Sequence, residues 1–201
     1  MLMIATLGFD EKFIIRELLR RGVDENTKVI LLSSGEDQRT ENAYNAIKEL
    51  SKTIPFQTEF KNVNIKEPYL SISDLRKMIK SYTGDKIVFN ISGGQRILIF
   101  YLLCAITSLG QKGEIVIHSE DSSFTVNLPT NIMFQMNLDD VDNAILDLIS
   151  KKTKIRASEL SKLLNMPQVT VWRRIKRLQE LGLVDYKSRE YYLTEIGRSR
   201  I

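Results

Sequence analysis

Two patterns of hydrophobic positions alternate over roughly the first 120 residues of the chain. Short, β-branched-rich apolar runs at Leu2–Leu7, Lys28–Ser34, Lys86–Ser92 and Glu114–Ser119 read as strands buried on both faces of a parallel sheet. Segments of helical period lie between them. Glu11–Arg21 sets Phe13, Ile14, Leu18 and Leu19 on one face and stops at Gly22, and Ser73–Tyr82 does the same with Leu75, Met78, Ile79 and Tyr82. Thr40–Leu50 and Gln95–Leu109 complete the helices, and Gln57–Ile65 adds a strand. The alternation predicts an α/β fold with an open, doubly wound, mostly parallel sheet and right-handed crossovers. Glu114–Ser119 and Phe124–Leu128, joined by Glu120-Asp121-Ser122-Ser123, end that sheet in an antiparallel hairpin, and Pro129 closes the unit.

From Leu138 onward the pattern becomes three closely spaced helices and a hairpin, so the domains are set at 1–137 and 138–201. Asp139 or Asp140 caps the first helix, whose apolar stripe is Val141, Ile145, Leu148 and Ile149. Ala157–Leu164, burying Leu160, Leu163 and Leu164, forms the second, and Asn165-Met166 turns into a third that starts at Pro167 and ends at Gly182. In that third helix Val171, Ile175 and Leu178 face inward, while Arg173, Lys176 and Arg177 point roughly the opposite way, with Gln168 and Thr170 near its start. Trp172 fits either packing against the first helix or a contact to nucleic-acid backbone. Leu183–Tyr186 and Tyr191–Leu193 are strand-like around Lys187-Ser188-Arg189-Glu190, the expected tip of a wing.

Charge sharpens this division. Residues 1–138 hold 16 Lys+Arg and 16 Asp+Glu, whereas residues 151–201 hold 13 against 5. The basic excess is therefore confined to the end of the chain, where a surface meeting phosphates is expected. A basic face is also what an ordinary solvated helix shows, and three-helix domains of this kind also serve as protein-binding modules. The longest apolar stretch, Ile97–Ser108, is too short to cross a bilayer, and Met1–Leu7 lacks a basic leader, so a cytoplasmic protein with no membrane partner is expected. Cys104 is the single cysteine and His118 the single histidine, which excludes an intrachain disulfide and a Cys/His zinc site. His118, on a core strand, reads as structural.

Ligands of open α/β sheets bind where strand carboxyl ends meet helices. One such place is Thr6-Leu7-Gly8-Phe9-Asp10, where Gly8 allows close backbone approach and Phe9 offers a stacking face. Another is Asn90-Ile91-Ser92-Gly93-Gly94-Gln95-Arg96, where backbone N–H groups at a helix start and the Arg96 guanidinium make an anion site. The same two glycines would also serve a plain strand-to-helix turn. Ser34-Gly35, after the second strand, is a weaker third candidate. Neither G-x-G-x-x-G nor G-x-x-x-x-G-K-[ST] occurs, which disfavours a dinucleotide cofactor or triphosphate hydrolysis, and no cofactor is expected.

The run from Ala157 to Val184 closely resembles the winged helix-turn-helix of bacterial and archaeal transcription regulators. A strand ending in Leu7-Gly8-Phe9, a later strand running into Asn90-Ile-Ser-Gly-Gly-Gln-Arg96, and a fused winged helix together resemble the CRISPR-associated transcription regulators with a Rossmann-like CARF sensor domain. The likeness covers essentially the whole chain. It implies a homodimer that binds cyclic oligoadenylate, chiefly cyclic tetraadenylate, with Gly8, Phe9, Ser92, Gly93, Gly94, Gln95 and Arg96 lining a shared pocket and Ser34 close by. It implies a second partner, double-stranded DNA, met by Gln168, Thr170, Arg173, Lys176, Arg177, Lys187 and Arg189. Some CARF domains cleave their ligand with help from a lysine. Arg96 stands in that turn here and is a poor acid or base, which favours a binding sensor over a ring nuclease. A sensor for another anionic metabolite remains an alternative.

Overall fold

The computed structural model describes residues 1–201 except Glu36, Thr83, Asp85 and Gln135. It forms two compact units, Met1–Phe134 and Gln135–Ile201. The first holds strands β1 (Leu2–Thr6), β2 (Lys28–Ser33), β3 (Gln57–Asn62), β4 (Ile87–Asn90), β5 (Glu114–His118) and β6 (Thr125–Pro129). They are interleaved with helices α1 (Lys12–Arg21), α2 (Gln38–Thr53), α3 (Pro68–Lys80) and α4 (Arg96–Leu109). The strand order is β3-β2-β1-β4-β5-β6, parallel throughout except for β6, which pairs antiparallel with β5. This is the mostly parallel Rossmann-like sheet that the alternation predicts. Chain order reverses between β1 and β4, so the carboxyl ends of those neighbouring strands flank a switch-point crevice.

Each face of the sheet carries its own core. Leu2, Ile4, Ile87 and Phe89 pack with Leu75, Ile79, Leu98 and Leu102 of α3 and α4. Met3, Ala5, Val29 and Val116 pack with Ile14, Leu18, Ala43 and Ile47 of α1 and α2. A central strand buried on both sides needs apolar residues at every position, which is why β1 is continuous rather than alternating.

Helix ends depart from the sequence expectation. α3 begins at Pro68, five residues before the Ser73 start inferred from periodicity, with the proline in its first turn. α1 buries Glu17 in place of Leu19, which is 57% exposed. The Glu17 carboxylate lies within hydrogen-bonding distance of Arg20 Nη2 (2.7 Å) and bonds Arg21 Nε, while Arg21 also reaches Glu114 (2.9 Å). Burial by itself raises the Glu17 pKa, but the two guanidiniums outweigh it and hold the carboxyl below its ordinary range. His118 Nδ1 meets Thr125 Oγ1 at 2.9 Å, its Nε2 lies 3.4 Å from Glu17, and its ring stacks on Phe13. The histidine is thus structural, and burial, only partly opposed by Glu17, lowers its pKa.

The second unit comprises α5 (Asp140–Lys152), α6 (Ala157–Leu163), α7 (Gln168–Glu180), β7 (Val184–Lys187), β8 (Glu190–Leu193) and a short α8 (Glu195–Arg198), the last without a counterpart in the periodicity. Ile145, Ile149, Leu160, Val171, Ile175 and Leu178 form its core. Leu163, expected inside, is 51% exposed, and Asp142 occupies a buried position next to the Val141 of the inferred stripe. The β7–β8 hairpin closes through two residues of positive φ, Ser188 (56°) and Arg189 (67°). No helix among the described residues is long and apolar enough to cross a membrane.

Candidate ligand cavity and nucleic-acid interface

The two loops at the switch point are tied together. Thr6, at the end of β1, is buried and donates its hydroxyl to the Gly93 carbonyl at 2.5 Å. A Cβ on Gly8 would stand 2.8 Å from the Gly94 nitrogen, and Gly94 has φ +87° with space for a Cβ only 3.1 Å from that of Thr6. These glycines therefore do more than turn the chain: they let one loop lie backbone to backbone on the other.

Against this contact lies a cavity of about 190 Å³ lined by Leu7, Gly8, Phe9, Ser33, Ser34, Gly35, Asp37, Thr40, Gly94 and Gln95. It brings together Gly8, Phe9, Ser34, Gly94 and Gln95 of the expected site. Phe9 is 63% exposed, with the Arg39 guanidinium 5.7 Å from its ring centre. Gln95 is the N-cap of α4 without a side-chain cap of its own, and the first bond of that helix runs from Ile99 N–H to its carbonyl. The preceding N–H groups thus point out of the helix toward solvent, the arrangement that holds anions. Arg96 is exposed and has no hydrogen bond or ion pair among the described residues.

Ser92 and Gly93 are placed differently from that expectation. The Ser92 hydroxyl donates to Asn90 Oδ1 (2.6 Å) and accepts the His118 N–H (2.9 Å), while Asn90 Nδ2 reaches back to the Phe13 carbonyl. Ser92 thereby braces the loop, and Gly93 backs onto Thr6 rather than the cavity. Sequence reasoning missed Asp37, Thr40 and Arg39. Asp37 caps α2, accepting from Arg39 N–H, Thr40 N–H and the Thr40 hydroxyl, contacts that hold its carboxyl below the usual range. The signal was present as an Asp three residues before a Thr at a helix start.

On the second unit, α7 exposes Gln168, Val169, Trp172, Arg173 and Lys176, with Thr170 half-buried, and the wing exposes Lys187 and Arg189. Trp172 is 48% exposed rather than packed, and the Lys176 ammonium lies 5.1 Å from its ring centre. Arg177 has another engagement. Its Nη1 lies 2.9 Å from the buried Asp142 carboxylate and its Nη2 donates to the Asn137 carbonyl at 2.6 Å. Arg174 completes the neutralisation of Asp142 from 3.1 Å and pairs with Asp139, the cap of α5. Arg173 and Lys176 are then the α7 cations that face solvent unpaired by a carboxylate, beside Lys187 and Arg189 on the wing.

Residues 1–129 match the family described as the Csa3 CRISPR-associated Rossmann-like domain. The chain belongs to this family. Residues 138–185 match a winged helix-turn-helix DNA-binding family, so this Csa3-type sheet is followed by a winged helix. Over 53 residues the chain is 43% identical to an uncharacterized HTH-type transcriptional regulator of Pyrococcus furiosus, covering 26% of this chain and 33% of that one. A 47-residue stretch is 38% identical to HTH-type transcriptional regulator FL11 of the same organism, covering 23% and 31%. The chain thus spans about a third of the length of these relatives. The solved structure of protein VC1899 from Vibrio cholerae aligns over 99% of this chain and 63% of its own at TM-score 0.47 and 12% identity, a likeness too weak to bear on the fold.

Proposed function

We propose that this protein is a cytoplasmic DNA-binding transcription regulator of CRISPR-Cas loci whose first unit, as a homodimer, binds cyclic oligoadenylate, with cyclic tetraadenylate the ring of choice. The observation that carries the reading is the switch-point cavity: a helix N-terminus and the unpartnered Arg96 beside it favour phosphate, and the exposed Phe9 ring favours a base. Membership of the CRISPR-associated family supplies the biological setting, and the winged helix with its exposed cations supplies the output.

A dimer suits a ring with repeated phosphates, because a two-fold axis presents each anion site twice. Ile97 and Phe100 of α4 are 48% and 62% exposed, and Tyr69 and Leu70 of α3 are 88% and 61% exposed. That apolar surface begins one residue after Arg96, so a second copy seated on it would bring two α4 N-termini toward one ligand. Ligand then acts on DNA affinity to the extent that it favours one dimer geometry over another.

Isothermal titration of the full chain with cyclic tetraadenylate is expected to show saturable binding of one ring per two chains. Absence of heat at high ligand would refute the sensor assignment. Chromatography of the same mixture separates binding from cleavage, since a ring nuclease would release linear products. An operator titration with and without saturating ring tests the coupling, and identical affinities would sink it.

A further inference from the structure

We propose that Val169 reads a thymine methyl group in the major groove and so fixes part of the DNA sequence that α7 selects; the proposal rests on the DNA-binding reading above. α7 buries Val171, Ile175 and Leu178 completely. Val169 precedes Val171 by two residues, which at 3.6 residues per turn places it about 200° around the helix. It is accordingly 62% exposed, on the line most distant from the core, with Trp172, Arg173 and Lys176 following three, four and seven residues later on the same side.

Nothing in the fold asks for valine there. Its branched side chain is a poorer helix former than the alanine, lysine or glutamate usual on an exposed helix face. Its position is the first turn of the helix that a winged helix-turn-helix lays in the major groove, and the residues of that turn are the ones aimed at base edges. Major-groove edges are polar except for the C5 methyl of thymine, which makes apolar contacts with small side chains. A β-branched residue with one preferred χ1 presents two methyl groups at a defined place, as such a contact requires. Farther along, the Lys176 ammonium held over the Trp172 ring is suited to phosphate. The helix thus divides into a base-facing start, Gln168 and Val169, and a backbone-facing middle, Arg173 and Lys176.

The test uses the full chain. Duplexes enriched from a random-sequence pool are resynthesised with deoxyuridine replacing one thymine at a time, which deletes only the methyl group, and affinities are read by fluorescence anisotropy. At one thymine of each half-site the replacement is expected to weaken binding about fourfold, the worth of one methyl taken out of water. In Val169→Ala that penalty is expected to fall toward none while penalties at other positions persist. Val169 makes no core contact, so the variant is expected to melt with the parent, which the same preparation can verify. Full retention of the penalty in Val169→Ala, or no effect of deoxyuridine at any position on the parent protein, would overturn the proposal. Failure of the pool to enrich any sequence is a separate result, which would overturn sequence reading by α7 itself and the proposal with it.

Discussion

Arg173→Ala and Arg177→Ala remove the same charge from the same helix four residues apart, yet they are expected to fail in different ways. Arg173 faces solvent without a carboxylate partner, so it is available to a phosphate. Losing one phosphate contact lowers the slope of log affinity against log salt by about 0.9, so the affinity lost between roughly 50 and 200 mM salt shrinks by about 3.5-fold. Its melting temperature should not move. Arg177 instead neutralises Asp142, whose side chain is fully buried, and holds the Asn137 carbonyl. Breaking a wholly buried ion pair costs about 3–5 kcal/mol. Here Arg174 remains as a second cation and the Arg177 side chain is 44% exposed, which brings the expectation down to about 1–2 kcal/mol. In a domain of this size each kcal/mol is worth about 4–8 °C. Calorimetric melting of both variants, with anisotropy titrations on duplex DNA at several salt concentrations, separates the two losses. If Arg177→Ala flattened the salt dependence as much as Arg173→Ala and melted with the parent, the assignment of Arg177 to Asp142 would be wrong.

Gly8→Ala drives a Cβ to 2.8 Å from the Gly94 nitrogen, where backbone must shift; a loss of about 1–3 kcal/mol in urea unfolding is expected together with loss of ring binding, and an unaltered variant would show that the loops are not tied as described. Arg96→Ala should leave melting unchanged, because the side chain has no protein partner to lose, and weaken an anionic ligand about tenfold or more; equal affinity in a titration would contradict the anion site. His118 has a depressed pKa in the folded protein, so the unfolded chain takes up its proton first as pH falls below about 6.5. Stability from this residue is fully present above that pH and declines below it, and His118→Gln should flatten urea midpoints measured between about pH 7 and pH 5. A slope identical to the parent's would exclude His118 as its source. Phe100→Glu places a charge on the exposed face of α4 and should shift light-scattering mass from dimer to monomer; an unshifted mass would put the dimer contact elsewhere.

The sheet was legible in the sequence because its central strands are buried on both faces and announce themselves as unbroken apolar runs. The Gly8 and Gly94 loops were legible for a related reason, since glycine at a strand end signals close backbone approach. What periodicity could not foresee was the polar core. Glu17 and Asp142 occupy inward positions that an apolar count assigns elsewhere, and each is admitted only because two arginines from neighbouring turns or helices reach it. Such pairings are set by tertiary distance, so Arg177 looked outward on a helical wheel while its guanidinium was engaged. Ser92 illustrates the same limit at the cavity, where its hydroxyl is committed to Asn90 and the His118 N–H from a strand 26 residues away.

The wing tip carries a consequence for engineering. A two-residue hairpin turn with both φ values positive is the setting in which Asn-Gly is the favoured pair, yet Ser188 and Arg189 stand there. A left-handed conformation costs a residue with a Cβ roughly 1 kcal/mol relative to glycine, so replacing this pair by Asn-Gly should make the hairpin more stable and remove a cation from its apex. Stability and charge are thus in direct opposition at one bond of the chain, and a variant optimised for melting temperature alone would arrive at a better-folded protein with a blunted wing.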